Sequence, residues 1–264
     1  MNIDISIVRD YLSGSCEYKN HWIFRSIDDD GVYLFDCPSE EDKEVVQNAL
    51  NDTLKILNDF HPYNLELFQR LFPKWRELCK TVNVIISVGC PAPYDAMVRE
   101  HEGKEFIIID LIRILDYRMG IRTLVTPFFT HELSHICIHT DYSDIPAKTF
   151  YRDELKSIVF DEGFAHLLSY RDNIENVDFS SLVQEYYQQS FCKLKSALCE
   201  IDTEKQKICL TESNSGEYWK KYGAICGKLY LARNIDDIET IYKAGPEKMF
   251  NNIVKEANAC LPRQ

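Results

Sequence analysis

Hydrophobic residues follow two different periods along the chain, and the two periods predict different elements. Segments 82–88 and 105–109 are short runs rich in β-branched residues and bounded by turn signals, so both are predicted to be strands. An aromatic stretch at 31–35, directly after an Asp-Asp-Asp-Gly turn, predicts a third strand. The polar, proline-containing stretch at 89–103 is expected to be a loop.

Apolar residues spaced three and four apart predict helices over most of the remaining chain. Ahead of the strands, this spacing predicts helices at 39–58 and 64–80. Thr126 followed by Pro127 is typical of a helix start, with the threonine as N-cap and the helix running to about Thr140. The later helices are expected at 153–171, 178–200, 214–234 and, after a Gly-Pro break, 246–258.

These elements predict an α+β fold. A small N-terminal mixed sheet is expected to pack on the helix that starts at Thr126, with a mainly helical C-terminal half after it. No repeat, low-complexity tract or long flexible linker divides the chain. We therefore expect residues 1–80 to form a cap or support region and 81–264 to carry the chemistry, and the two could equally form one continuous domain.

Composition narrows the class of partner. The 264 residues include 30 Lys and Arg against 42 Asp and Glu, which gives a formal net charge of −12. Such an acidic surface repels phosphate backbones and anionic lipid, so neither nucleic acid nor a membrane is expected as a partner. The ten cysteines form no CxxC pair and the first residues lack a signal-peptide pattern, so we expect reduced thiols and a cytoplasmic location.

The motif that carries chemistry is HExxH at residues 131–135, inside the helix predicted to open at Pro127. Two helical residues four apart differ by about 40° in azimuth and about 6 Å in rise, so the imidazoles of His131 and His135 can reach one zinc ion. Glu132 lies about 100° from the first histidine, where its carboxylate can take a proton from a metal-bound water. The sequence therefore predicts one Zn²⁺ ion, two histidine ligands and a glutamate as general base.

A third ligand is predicted on the helix at 153–171. Glu162 and His166 share a face with apolar residues, which places a carboxylate inside an apolar stripe. Burying an unpaired charge costs several kcal/mol, and coordination to a cation removes that cost. We therefore expect Glu162 to complete the zinc site, with Gly163 and Ala165 allowing close approach to the HExxH helix. The alternative is that the helix is rotated so that Glu162 is a surface residue and binds no metal.

Together these motifs resemble the gluzincins, zinc metallopeptidases such as thermolysin and the aminopeptidase N group, which pair HExxH with a downstream glutamate. The string DEGFA at 161–165 resembles the NEGFA-like string of the aminopeptidase branch. An apolar helix ending in this string is also similar to small predicted zinc-dependent proteases of bacteria. The resemblance covers roughly residues 82–230, and it implies a minimal thermolysin-like catalytic core.

One departure from the family concerns spacing. The gap between His135 and Glu162 is longer than in thermolysin or aminopeptidase N, and the usual gap would select Glu154 as third ligand instead. Glu154 lies off the apolar stripe and lacks the DEGFA context, so it is the alternative. His139 lies about 12 Å along the helix from the first motif histidine, too far to share one ion with it. His166 is expected to hydrogen-bond a ligand or the substrate.

The resemblance also implies a tyrosine or histidine that stabilises the oxyanion, from a helix downstream of the third ligand. We predict Tyr222 for this role, with Tyr218 as the alternative, on the segment 218–230. An aromatic core role is the other interpretation of either tyrosine. Gly223 and Gly227 in the same segment are expected to permit close contact with a neighbouring helix.

The predicted reaction is hydrolysis of a peptide bond in a peptide or protein substrate. Zinc would lower the pKa of its water, Glu132 would pass the proton to the leaving amine, and zinc and the tyrosine would share the oxyanion charge. The strand and loop at 82–95 are expected to pair with the substrate backbone. A regulatory domain with a vestigial zinc site and a zinc-dependent hydrolase of a non-peptide amide remain as alternatives, although the presence of Glu132 favours an enzyme. Cleavage specificity and oligomeric state are left open.

Overall fold

The computed structural model describes residues 1–24, 35–92 and 94–259. The chain forms two compact units, one made of 1–62 and 74–136 and the other of 63–73 and 137–264. The predicted division into a support region and a catalytic region concerns function and stays a prediction. The α-helices are α1 (Ser6–Ser13), α2 (Lys43–Asn58), α3 (Leu65–Leu71), α4 (Trp75–Thr81), α5 (Leu111–Asp116), α6 (Ile121–Asp141), α7 (Tyr151–Leu168), α8 (Ser180–Leu182), α9 (Gln188–Leu198), α10 (Thr203–Asn214), α11 (Tyr222–Arg233) and α12 (Ile238–Ala259).

A four-stranded mixed sheet belongs to the first unit. Its strands are β1 (Asn2–Asp4), β2 (Asn83–Ser87), β3 (Ala96–His101) and β4 (Lys104–Asp110). They lie in the order β1-β2-β4-β3; β1 and β4 are parallel to β2 on its two sides, and β3 is antiparallel to β4. The predicted α+β class, with a small N-terminal mixed sheet and a mainly helical remainder, is confirmed.

The two strands predicted from β-branched runs are the middle strands of this sheet. Val84 and Ile86 of β2 and Ile107 and Ile109 of β4 are completely buried. A strand covered on both faces has a nearly continuous apolar sequence, which is why both strands could be recognised. β2 is paired with β4 along its whole length and with β1 at residues 83–85, so the edge beside 86 and 87 is not covered by β1. The prediction that the strand and loop at 82–95 pair with a substrate backbone stays a prediction.

The prediction of a loop throughout 89–103 is also wrong, because this stretch contains β3. The residues of β3 are at most half-buried, so they show no apolar alternation that would separate a strand from a loop. The turn into β4 has Glu102 at φ 51° and Gly103 at φ 72°. Two consecutive positive φ values are typical of a type I′ hairpin turn. The predicted strand at 31–35 lies outside the described residues except for Phe35, which belongs to no strand.

The helix that carries HExxH begins earlier than predicted. α6 starts at Ile121, and Pro127 is an interior position and not the first helical residue. Ile121, Leu124 and Val125 are all buried, so their packing stabilises the turns ahead of the proline. The Thr-Pro pair resembles a helix start, but a proline also fits inside a helix when burial compensates for its missing hydrogen bond.

Proline and glycine interrupt two other predicted helices. The segment 64–80 is divided into α3 and α4 around Pro73, since the residue before a proline avoids helical angles; Phe72 has φ −124° and ψ 73°. Within α12, which begins at Ile238, Gly245 has the non-helical angles φ 81° and ψ 175°, so two helical stretches meet there and the predicted break ahead of Pro246 is confirmed. The polar helix α10 was not predicted, because Ser213 is its single fully buried residue.

α7 and α11, both in the second unit, approach each other backbone to backbone. A Cβ atom at Gly227 would lie 1.9 Å from the carbonyl oxygen of Val159, and one at Gly163 would lie 2.9 Å from the Cα of Gly227. Neither position has room for a side chain. The predicted close helix contact through Gly227 is confirmed. The space beside Gly163 is taken by α11, so the prediction that this glycine admits the HExxH helix is wrong.

The two longest helices are not apolar enough to span a membrane. α6 has 21 residues and α12 has 22. Within the part of the chain that the structure describes, no helix combines the length and the apolar sequence needed to cross a bilayer. No disulfide bond joins any of the cysteines in that part.

Candidate metal centre

The two histidines of the HExxH motif lie one turn apart on α6, with their rings close together. The Nε2 atoms of His131 and His135 are 3.1 Å apart, and the ring planes meet at 81°. Two ligand atoms held tetrahedrally about 2.1 Å from a zinc ion are about 3.4 Å apart, so the observed spacing suits a shared ion. A hydrogen bond between two neutral imidazoles would have a similar length, and a third ligand is therefore the deciding feature.

A carboxylate supplies this third donor. One ligand atom each from His131, His135 and Glu162 lies within 4.8 Å of the other two, with the second histidine buried and the other two residues half-buried. Two imidazole nitrogens and one carboxylate oxygen are the protein ligands of many catalytic zinc sites, which leave a fourth position for water. The structure thus brings the three predicted ligands together, and these residues could hold a metal ion.

A second donor group overlaps the first. Ligand atoms of His135, His139 and Asp161 also lie within 4.8 Å of one another, and the His139 Nε2 is 3.1 Å from an Asp161 carboxylate oxygen. Both of these side chains are only 14% exposed. A carboxylate that binds a histidine ring fixes its tautomer and orientation, as in the outer ligand shells of metal sites. His139 therefore lies beside the first donor group, paired with the residue that precedes Glu162.

Helix α7 places Glu162 and His166 on one face, one turn apart. The His166 Nε2 lies 3.4 Å from a carboxylate oxygen of Glu162, and the two side chains are 8% and 20% exposed. Contact with the imidazole restricts the rotation of the carboxylate. Glu154, the alternative ligand, lies two turns earlier on the same helix, where burial raises its pKa. It belongs to neither of the donor groups found among the described residues.

Glu132, the predicted general base, is buried on α6, with 5% of its surface exposed. The hydroxyl groups of Thr130 and Ser134 donate to backbone carbonyls one turn earlier, at 2.8 and 2.7 Å. These two hydroxyls are therefore used inside the helix. Glu132 is next in the chain to the candidate ligand His131, and its role as general base stays a prediction.

The two candidate tyrosines have different surroundings. Tyr222 is buried, and its hydroxyl donates to the backbone carbonyl of Cys209 at 2.7 Å, which ties α11 to α10. Burial also raises the pKa of this phenol. Tyr218 lies in a short 3₁₀ turn before α11, and its ring packs edge-on against the His166 ring with 5.1 Å between centroids. The structure thus places Tyr218 against the histidine that contacts Glu162, and it gives Tyr222 a packing contact.

Removing the Tyr222 hydroxyl is expected to lower stability and to leave hydrolysis unchanged. Tyr222→Phe deprives the Cys209 carbonyl of its donor, which should lower the free energy of unfolding by about 1 kcal/mol. Urea unfolding followed by circular dichroism would measure this loss as a lower midpoint with an unchanged slope. A variant of full stability with strongly reduced kcat would instead support the predicted oxyanion role.

Sequence reasoning missed one buried lysine beside Tyr218. Lys228 on α11 is completely buried, and its Nζ donates to the Tyr218 hydroxyl oxygen at 2.8 Å. The signal in the sequence is a lone cation inside the otherwise uncharged run 224–232. A charge in such a run needs partners inside the protein, and only the structure shows which partners it has.

Comparison of the chain with protein-family models, with curated proteins and with solved structures finds no match. The gluzincin resemblance therefore remains a prediction that depends on the motifs at 131–135 and 161–165. A fold does not by itself imply a function, and the chemistry of this chain lies in the candidate metal centre.

Proposed function

We propose that the chain is a zinc metallopeptidase of the gluzincin type that hydrolyses peptide bonds in peptides or proteins. One observation carries the proposal, namely that His131, His135 and Glu162 each direct a donor atom into one volume less than 4.8 Å across. Glu132 supports it as a buried acid–base group on the same helix as the two histidines. A nucleic acid or membrane partner does not fit the net charge of −12.

His131, His135 and Glu162 would bind the ion, and neighbouring side chains would fix the orientation of these three ligands. When bound, zinc would lower the pKa of a water molecule and polarise the carbonyl of the scissile bond. His166 restricts the Glu162 carboxylate, and Asp161 restricts the ring of His139. Such outer contacts orient ligands and strengthen metal affinity.

Two side chains would manage protons and charge. Glu132 takes a proton from the attacking water and returns it to the amine that leaves. The Tyr218 hydroxyl donates a hydrogen bond to the oxygen of the scissile carbonyl as negative charge develops there. The cytoplasm is the location that goes with this proposal, because its reducing conditions keep buried thiols such as Cys90 and Cys226 unoxidised.

Glu162→Gln is expected to weaken zinc binding. Glutamine has nearly the same volume but lacks the charge that compensates a divalent cation, so affinity should fall by at least about tenfold. Purified wild type and variant would be loaded with zinc and dialysed against buffer. Their metal content would then be measured by mass spectrometry, with about one zinc per wild-type chain expected.

Glu154→Gln is the matched control, because it removes a half-buried carboxylate from the same helix outside the donor group. It should bind zinc as the wild type does. Equal zinc in the wild type and in Glu162→Gln would reject the ligand assignment. Loss of zinc in Glu154→Gln alone would show that the alternative glutamate is the ligand.

A further inference from the structure

Lys228 combines complete burial with contact to three aromatic rings. Its Nζ lies 3.3 Å from the centre of the Tyr170 ring, 4.8 Å from that of Trp219 and 4.9 Å from that of Tyr218. It donates to the Tyr218 hydroxyl oxygen at 2.8 Å. Among the described residues no carboxylate forms an ion pair with it, so the phenol and the rings are its partners.

A lysine in this position costs folding free energy. Burial lowers the pKa of Lys228 to about 6, and the nearby charge of Arg171 acts in the same direction. The ring faces act in the opposite direction, because their negative quadrupoles attract an ammonium group. A methionine would fill similar space without the cost of desolvating an amine. The hydrogen bond to Tyr218 is therefore what a lysine provides here and a methionine would not.

Lys228 has no surface on which a substrate could contact it, whereas Tyr218 is partly exposed. The lysine is 0% exposed, and the tyrosine residue is half-buried. The tyrosine ring also contacts the His166 ring, and the Nε2 of His166 lies 3.4 Å from a carboxylate oxygen of Glu162. Any effect of the amine on a bound substrate must therefore act through the phenol.

We propose that Lys228 is a positioning residue that fixes the Tyr218 hydroxyl as the donor to the oxyanion of the substrate. An oxygen that accepts a hydrogen bond from Nζ retains its own hydrogen, which is then available to a further acceptor such as the substrate oxygen. The amine also draws electron density from the phenol oxygen, which makes the tyrosine a stronger donor. This inference rests on the proposed function and deepens it by identifying how the oxyanion donor is held.

Kinetic comparison of Lys228→Met with the wild type tests this role. We expect kcat to fall about tenfold with KM within about twofold and with zinc content unchanged, because the interaction is made only as charge develops. Tyr218→Phe should lower kcat by at least as much. The double variant should be no slower than Tyr218→Phe alone, since Lys228 acts through that hydroxyl.

Lys220→Met is the matched control. This exposed lysine is two residues after Tyr218 and pairs with Glu217 at 2.8 Å, so its loss should leave kcat unchanged. Lys228→Gln is the second variant should the methionine variant fail to fold. An unchanged kcat in a folded Lys228 variant, or a double variant whose losses multiply, would overturn the inference.

A spectroscopic measurement separates this inference from the proposed function. In full-length protein labelled with ¹³C at tyrosine Cζ, the Tyr218 signal is identified by its loss in Tyr218→Phe. Lys228→Met should shift this signal and Lys220→Met should not, with or without zinc. An unmoved signal overturns the inference whatever the activity. A wild type that hydrolyses no peptide overturns the proposed function. This result is distinct from the NMR result, because it is measured on the activity of the wild type and not on the Tyr218 signal of a variant.

Discussion

Glu132→Gln is expected to remove nearly all hydrolysis while the metal stays bound. Glutamine keeps the shape of the side chain and the helical position, but it cannot accept a proton from water. General acid–base catalysis contributes typically 10²- to 10⁴-fold, so kcat should fall about 1,000-fold, equivalent to about 4 kcal/mol. Initial rates on a quenched-fluorescence peptide library, compared with zinc content on the same samples, would measure both properties.

The control for this variant is again Glu154→Gln, which should hydrolyse peptides at the wild-type rate. Wild-type cleavage rates in Glu132→Gln would reject the glutamate as general base. A wild type that holds zinc but cleaves neither peptides nor small amides would identify a regulatory domain with a vestigial site. Activity confined to small amides would keep the mechanism and change the substrate class.

The candidate ligands could be predicted because local geometry determines much of their arrangement. The spacing of His131 and His135 on one helix fixes the distance between their rings to within a rotamer choice. Glu162 was identifiable because a carboxylate on an apolar helix face needs a cation or donor. In both cases the relevant property is encoded within a single helix, and a pattern read along one segment is sufficient.

The parts that could not be predicted depend on contacts between different segments and not on the pattern within one segment. β3 is a strand because it pairs with β4, not because of its own apolar pattern. α6 begins ahead of Pro127 because Ile121 and Val125 are buried by tertiary packing. The contact between Lys228 and Tyr218 joins residues ten positions apart through a turn, and no periodicity identifies such a contact in advance.

Gly227→Ala is expected to lower the free energy of unfolding by about 2 kcal/mol. The new methyl carbon would lie 1.9 Å from the Val159 carbonyl oxygen, so α7 and α11 would have to separate. Overpacking against backbone this close should cost about 3 kcal/mol, and the roughly 1 kcal/mol that alanine gains over glycine in a helix offsets part of that cost. Urea unfolding of variant and wild type would measure the difference as a shift of the midpoint.

Gly223→Ala on the same helix is the matched control, because its Cβ would meet the Cβ of Ser213 at 3.0 Å, the carbonyl oxygen of Ser213 at 3.1 Å and a methyl carbon of Ile158 at 3.3 Å. These contacts are more than 1 Å longer than the one at Gly227 and are relieved by small shifts, so the loss should stay below about 1 kcal/mol. Equal stabilities of the two variants would show that the close helix contact is not required.

Gly227 directly precedes Lys228, so separating the helices should also move the amine from Tyr218. A shifted Tyr218 Cζ signal in Gly227→Ala, absent in Gly223→Ala, would therefore connect the tight packing of α7 and α11 to the position of the oxyanion donor.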